Sequence, residues 1–161
     1  MSDKPEDGTP ALRAMLLRAK PADYGLAPTP ELPRVWGAMM EMRIGSADVS
    51  LVAVAEGSTS LYFSSGGGIL GGGEHESVRA ANRKLLGVIE KLFPAFVARD
   101  VPVAALDGAV SFAIFTYEGL RVARDTEERV RQKKSPLWPV YFVGQEIITA
   151  LRLVTEKSTG H

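Results

Sequence analysis

The chain has 161 residues, of which 45% are hydrophobic and 24% charged, and its formal net charge is zero. This composition predicts one globular domain, and it lacks the cationic excess on which general nucleic-acid binding depends. The absence of cysteine excludes disulfides, thiol catalysis and thiolate metal sites. No stretch has the length of a membrane span or the pattern of a signal peptide, so a cytoplasmic protein is expected.

The sequence predicts three regions. An N-terminal arm covers residues 1–29, a single domain covers residues 30–157, and a disordered tail covers residues 158–161. Charged residues, proline and glycine dominate the first ten positions, which predicts disorder there. Residues 11–19 carry a short amphipathic pattern that is typical of a helix. Several prolines then indicate a loop before the domain begins.

The stretch Leu32–Ile44 fits two structures. Its alternate residues are apolar, as in a strand, but it also carries a helical stripe that Thr29 can cap. Three methionines and no β-branched residue lie between Trp36 and Arg43, which favours a helix.

The most informative stretch is Ser58–Leu92, where a strand, a run of glycines and a helix follow one another. Val49–Ala55 and Thr59–Ser64 predict an antiparallel hairpin closed by Glu56-Gly57. The octet GGGILGGG then permits a sharp turn into a helix. That helix is predicted from one apolar stripe, formed by Val78, Ala81, Leu85, Val88, Ile89 and Leu92.

The glycine octet allows a structural or a ligand-binding interpretation. Gly66, Gly68 and Gly71 satisfy G-x-G-x-x-G, but the preceding hairpin is not the first strand of a βαβ unit. No Lys-Ser or Lys-Thr follows as in a P-loop, and Glu74 and Glu76 would repel an anion. A structural turn is favoured. The alternative is a small-molecule or nucleotide site formed by Gly66, Gly67, Gly68, Gly71, Gly72 and Gly73.

Three further strands and a final helix are predicted after the central helix. The strands are Val101–Leu106, Ala109–Tyr117 and Leu120–Arg124, separated by the turns Asp107-Gly108 and Glu118-Gly119. The final helix starts near Pro136–Pro139 and carries an apolar band wider than one sheet face needs, which indicates a second helix or a partner subunit. The interface residues predicted from this band are Trp138, Tyr141, Phe142 and Ile148.

The predicted fold class is α+β, with a central antiparallel five-stranded sheet and helices on both faces. The predicted order is α-β-β-α-β-β-β-α after the N-terminal arm. This order, together with the hairpin VSLVAVAEGSTSLYFSS and its amphipathic helices, resembles the roadblock/LC7 domain, a profilin-like sandwich. The resemblance covers about Leu32 to Glu156. It implies homodimerisation and a non-enzymatic role as a platform for small GTPases or other protein partners.

No catalytic residues, metal ligands or cofactor are predicted. His75 and His161 are the only histidines, and the neighbours of His75 point too far apart on a helix to share its metal ion. Ser64 and Ser65 lack a G-x-S-x-G context. The leading hypothesis is therefore a homodimeric interaction module, and the alternative is a ligand-binding protein that uses the glycine octet.

Overall fold

The computed structural model describes residues 17–44, 46–64, 68–69, 74–101 and 107–159 of the chain. The strands in this part are β1 (Val35–Ile44), β2 (Ala47–Val54), β3 (Thr59–Phe63), β4 (Gly68–Ile69), β5 (Val97–Ala98), β6 (Ala109–Thr116) and β7 (Gly119–Thr126). The helices are α1 (Glu76–Lys91), α2 (Glu127–Arg131) and α3 (Trp138–Thr159), with 3-10 turns at Pro21–Tyr24 and Phe93–Ala95.

The strands form one sheet in the order β4-β3-β2-β1-β6-β7-β5, and every neighbouring pair is antiparallel. The predicted α+β class with an antiparallel sheet is therefore confirmed. The predicted set of five strands is not matched, because β1 was expected to be a helix. Two short strands, β4 and β5, extend the sheet at its two sides.

The prediction of a helix over Leu32–Ile44 is wrong, since Val35–Ile44 is the ten-residue strand β1. It lies in the middle of the sheet, where Met40 pairs with Leu51 of β2 and with Phe112 of β6. Its side chains are buried on both faces of the sheet. Its sequence therefore lacks most of the alternating polar residues that identify a strand with one exposed face. Pairing with two neighbours outweighs the helix propensity of the methionines.

Three of the predicted turns, those at Gly57, Gly108 and Gly119, are confirmed. Gly57 closes the β2–β3 hairpin with φ of 115°, Gly108 precedes β6 with φ of 75°, and Gly119 begins β7 with φ of 122°. Residues other than glycine rarely adopt these φ angles, so the glycines in the sequence predicted the positions of these turns correctly.

The strand predicted at Val101–Leu106 lies mostly outside the described residues. The structure instead places a two-residue strand, β5, just before it, paired with β7 through Val97–Val122 and Ala98–Arg121. The helix predicted over residues 11–19 also lies mostly outside the described part of the chain.

Helices α1 and α3 pack together against one face of the sheet, here called the helix face. Their contact residues share a core with Met40, Leu51 and Phe112 of the three central strands. Buried residues of the helices in this core are Val78, Leu85, Leu86, Ile89, Val140, Tyr141, Val143, Ile147 and Leu151. The apolar stripe predicted for α1 is thus confirmed as its packing surface.

The opposite face of the sheet, here called the back face, has a second apolar cluster centred on Trp36 and Phe115, whose rings lie 5.3 Å apart. The Trp36 indole N–H donates to the Thr116 carbonyl at 3.1 Å. Tyr24 and Leu26 of the N-terminal segment pack against this cluster. In the described residues, α1 and α3 therefore share one face, and an N-terminal segment with a 3-10 turn packs on the other. Helices on both faces stay a prediction, because residues 11–16 lie outside the described part of the chain.

Two helical glycines differ in their surroundings. A Cβ placed on Gly144 of α3 would lie 2.6 Å from Cε and 2.8 Å from Sδ of Met40, so this glycine allows α3 to approach β1 closely. A Cβ placed on Gly87 of α1 would meet no heavy atom within 4 Å. The packing around Gly87 therefore does not require a glycine.

Alanine substitutions at these two positions are expected to act in opposite directions. Gly87→Ala should raise the free energy of unfolding by about 0.5–1 kcal/mol through its higher helix propensity. Gly144→Ala has the same propensity gain, but displacing Met40 in a packed core should make it destabilising by about 1 kcal/mol overall. Urea denaturation measures both, and Met40→Val should rescue Gly144→Ala. Equal stabilisation by the two alanines would contradict the close packing of α3 on β1.

Candidate functional site

Only a small part of the glycine octet lies in the described residues. Gly66, Gly67, Gly71, Gly72 and Gly73 fall outside them, so the predicted ligand site cannot be assembled from the described positions. Gly68 pairs with Tyr62 in the short strand β4, and Ile69 pairs with Leu61. The described part of the octet is thus a strand beside β3, and ligand binding there stays a prediction.

The predicted interface residues lie on α3 but in unlike environments. Tyr141 is buried, at 5% exposure, and its hydroxyl donates to Glu127 of α2 at 2.6 Å. Burial, together with this hydrogen bond, raises the pKa of Tyr141. Ile148 packs against the core of the helix face and is half-buried. Tyr141 therefore holds α2 against α3 and offers almost no surface to a partner.

Trp138 and Phe142 are half-buried and form an aromatic cluster at the start of α3. The Phe142 ring meets Trp138 edge-on at 6.0 Å and Tyr141 edge-on at 5.5 Å. The Lys133 ammonium lies 4.7 Å from the centre of the Trp138 ring, within cation–π range. These contacts fix the two partly exposed rings in place.

The width of the apolar band on α3 has an explanation within the chain. Helix α1 packs along α3 and supplies the second helix that the sequence had left as an alternative to a partner subunit. Leu153 is the exception, since it is 55% exposed and belongs to neither apolar cluster. Phe142 and Leu153 are eleven residues apart, which places them on the same side of an α-helix. Sequence reasoning missed Leu153, which is not among the interface residues predicted from the apolar band.

The outer surface of α1 has a different character. Glu76 pairs with Arg79 at 3.1 Å and with Arg83 at 2.9 Å, and Lys84 pairs with Glu146 of α3 at 3.1 Å. All of these side chains are well exposed, so each pair contributes little to stability. This surface is charged and solvated.

A buried carboxylate lies in the middle of the back face. Glu41 of β1 stands opposite Ser50 of β2 and Ser111 of β6, and all three side chains are buried. The Ser50 hydroxyl donates to Glu41 at 2.8 Å. No local pattern in the sequence predicts this cluster, because it depends on the pairing of three strands. Hydrogen bonding satisfies the carboxylate and fixes the register of β1.

A second buried carboxylate holds the start of β1. Glu90 of α1 accepts from the backbone N–H groups of Arg34 and Val35 at 3.2 and 3.1 Å, and it pairs with the Arg34 guanidinium. Arg34 also donates to the Glu90 carbonyl at 2.9 Å. The guanidinium carbons of Arg34 and Arg121 lie 4.1 and 4.3 Å from the centre of the Phe93 ring. This contact set ties α1 to the first strand.

The described residues contain no group of three His, Cys, Asp or Glu side chains that could hold a metal ion, and His75 is exposed ahead of α1. No helix among them combines the length and apolar character needed to cross a bilayer. Comparison with protein-family models, with curated proteins and with solved structures gives no match to this chain. The class that the structure defines is an α+β domain with one antiparallel sheet and its two long helices on the same face. The resemblance to the roadblock domain stays a prediction, and its first predicted helix is a strand here.

Proposed function

We propose that this protein is a non-enzymatic interaction module that acts as a homodimer through the outer face of α3. The main support for this proposal is that Leu153 is 55% exposed and lies on the same side of the helix as the half-buried Phe142. Trp138 continues this apolar surface at the start of the helix, and we call the three residues together the α3 patch. An exposed apolar patch on a helix surface is a typical protein contact surface.

The contrast with α1 supports the choice of surface. A partner on the outer face of α1 would have to desolvate the exposed ion pairs that Glu76 makes with Arg79 and Arg83, which is unfavourable. The α3 patch carries aromatic rings, the side chains most enriched in binding hot spots. Because α3 has 22 residues and is therefore about 33 Å long, two copies can pack antiparallel about a two-fold axis along its outer face.

Sedimentation of the purified protein tests this proposal. We expect a dimer at micromolar concentration, and Leu153→Glu should weaken it by about tenfold or more, since a charge would be buried at the contact. Leu153 is largely exposed in its own chain, so the substitution should leave the fold intact, which circular dichroism can verify.

Val101→Glu is the matched control, because Val101 is also apolar, is 68% exposed and lies on a different element. This variant should remain a dimer. A strict monomer at micromolar concentration would overturn the proposal. Dissociation by Val101→Glu but not by Leu153→Glu would place the contact beside β5 instead. A small GTPase partner, implied by the roadblock resemblance, stays a prediction.

A further inference from the structure

An open cleft lies where the N-terminal segment crosses one end of the sheet to reach β1. It has a volume of about 420 Å³, within the range of small-molecule sites. We call it the Tyr117 cleft. Its lining is formed by Leu26, Ala27, Thr29, Glu31, Leu32, Ala55, Arg83, Gly87 and Tyr117.

The cleft is built from three parts of the chain that fixed contacts hold together. The carbonyl of Arg34 accepts from the Tyr117 N–H at 3.0 Å, and Glu90 binds the Arg34 and Val35 amides from α1. On the rim, the Thr29 N–H donates to the Leu32 carbonyl at 3.2 Å, and the Thr29 hydroxyl accepts from the Leu32 N–H at 3.0 Å. The walls are therefore held in place without an occupant, as in a pre-formed site.

Gly87 gives an independent indication that the space is kept open. It lies inside the sixteen-residue helix α1, where glycine is unfavourable by about 1 kcal/mol relative to alanine. No neighbouring atom excludes a side chain at this position. Folding alone therefore gives no reason for a glycine, whereas a larger side chain here would project into the cleft.

The polar groups of the cleft favour a ligand that accepts hydrogen bonds. Burial raises the pKa of Tyr117, so its hydroxyl stays protonated at neutral pH and can donate. The Thr29 hydroxyl oxygen already accepts from Leu32, which leaves its hydrogen available to a ligand. Arg83 adds a guanidinium whose only ion pair, among the described residues, is the exposed and weak pair with Glu76. Glu31 is the single carboxylate of the lining.

We propose that the Tyr117 cleft binds a small apolar carboxylic acid, with its hydrocarbon body between Leu26, Leu32 and Gly87 and its carboxylate toward Tyr117 and Arg83. A cleft of about 420 Å³ suits a small organic molecule. This site is separate from the α3 patch, so it stands or falls independently of the homodimer.

Calorimetric titration with octanoate tests the proposal, with octanol and octylamine as probes of the same hydrocarbon body. We expect octanoate to bind most tightly. Gly87→Leu should weaken octanoate binding by about tenfold or more by filling the cleft, whereas Gly87→Ala should change it by less than about threefold. Both variants should have a melting temperature equal to or above that of the wild type. A loss of octanoate binding would then not be due to a loss of folding.

Two further variants separate the polar contacts from the apolar ones. Arg83→Gln should weaken octanoate binding by about fivefold or more while leaving octanol unaffected, since octanol carries no charge to pair with the guanidinium. Tyr117→Phe should weaken octanoate binding by about threefold or more through loss of one donor.

Three outcomes would overturn the proposal. The first is that octanoate does not bind at millimolar concentration below its aggregation threshold. The second is that Gly87→Leu leaves octanoate binding unchanged, and the third is that octylamine binds as tightly as octanoate. The last result would assign the cleft to a cationic ligand that pairs with Glu31.

Discussion

Asn82→Asp is expected to destabilise the protein by about 3–5 kcal/mol at pH 7, as a buried charge without a partner does. Asn82 of α1 is 1% exposed, and its amide nitrogen lies 2.8 Å from the Thr59 hydroxyl and 3.2 Å from each of the Val54 and Ser58 carbonyls. Among the described residues, no donor lies within hydrogen-bonding distance of its amide oxygen. An aspartate is nearly isosteric but would aim a carboxylate oxygen at these acceptors, in place of a donor.

The pH dependence gives this prediction a specific signature. Burial without donors raises the pKa of the new carboxyl in the folded state above its unfolded value near 4. Relative to the wild type, the variant should therefore be least destabilised near pH 4 and below, and it should lose stability as the pH rises, whereas asparagine does not titrate. Urea denaturation at pH 4.5 and pH 7 measures the difference.

Asn82→Ala is the control, because it removes the donor without adding charge. It should be destabilising by about 1–3 kcal/mol, and to the same extent at both pH values. If Asn82→Asp were no worse than Asn82→Ala at pH 7, the amide would not be acting as the donor that holds the hairpin turn.

Glu90→Ala is expected to destabilise the protein by about 3 kcal/mol, since it leaves the Val35 amide buried without this acceptor and removes the partner of Arg34. Glu90→Gln keeps one oxygen for the two backbone amides and should recover about half of that loss. Denaturation in urea gives the free energies. Exchange of the Val35 amide hydrogen should be faster in the alanine variant than in the glutamine variant.

Arg34→Met separates the ion pair from the backbone contacts of Glu90. The Arg34 side chain is half exposed, so loss of the pair should be destabilising by about 1 kcal/mol or less. A loss as large as that of Glu90→Ala would show that the ion pair, rather than the binding of the strand amides, holds β1 to α1.

The elements that sequence reasoning located correctly are those with a local physical cause. The φ angles of Gly57, Gly108 and Gly119 required glycine at the turns, and the spacing of Val78, Leu85 and Ile89 required a helix with one buried side. Each of these signals is complete within a few residues. They do not depend on where the rest of the chain lies.

Strand β1 and the candidate sites depend on contacts between distant residues. Met39 and Met40 are both buried, on opposite faces of the sheet, so β1 has almost no polar alternation to distinguish it from a helix. The Tyr117 cleft joins Leu32, Gly87 and Tyr117, which are far apart in sequence. The local pattern around each of these residues carries no sign of the other two.

The position of β1 divides the sheet into two halves that the chain completes one after the other. Strands β1 to β3 form one meander and β6 and β7 form a hairpin, each through neighbouring segments. Among the described strands, only the β1–β6 ladder joins the halves, and it closes a loop of about 70 residues. Since such a closure is entropically costly, we expect this seam to form late in folding and to set its rate.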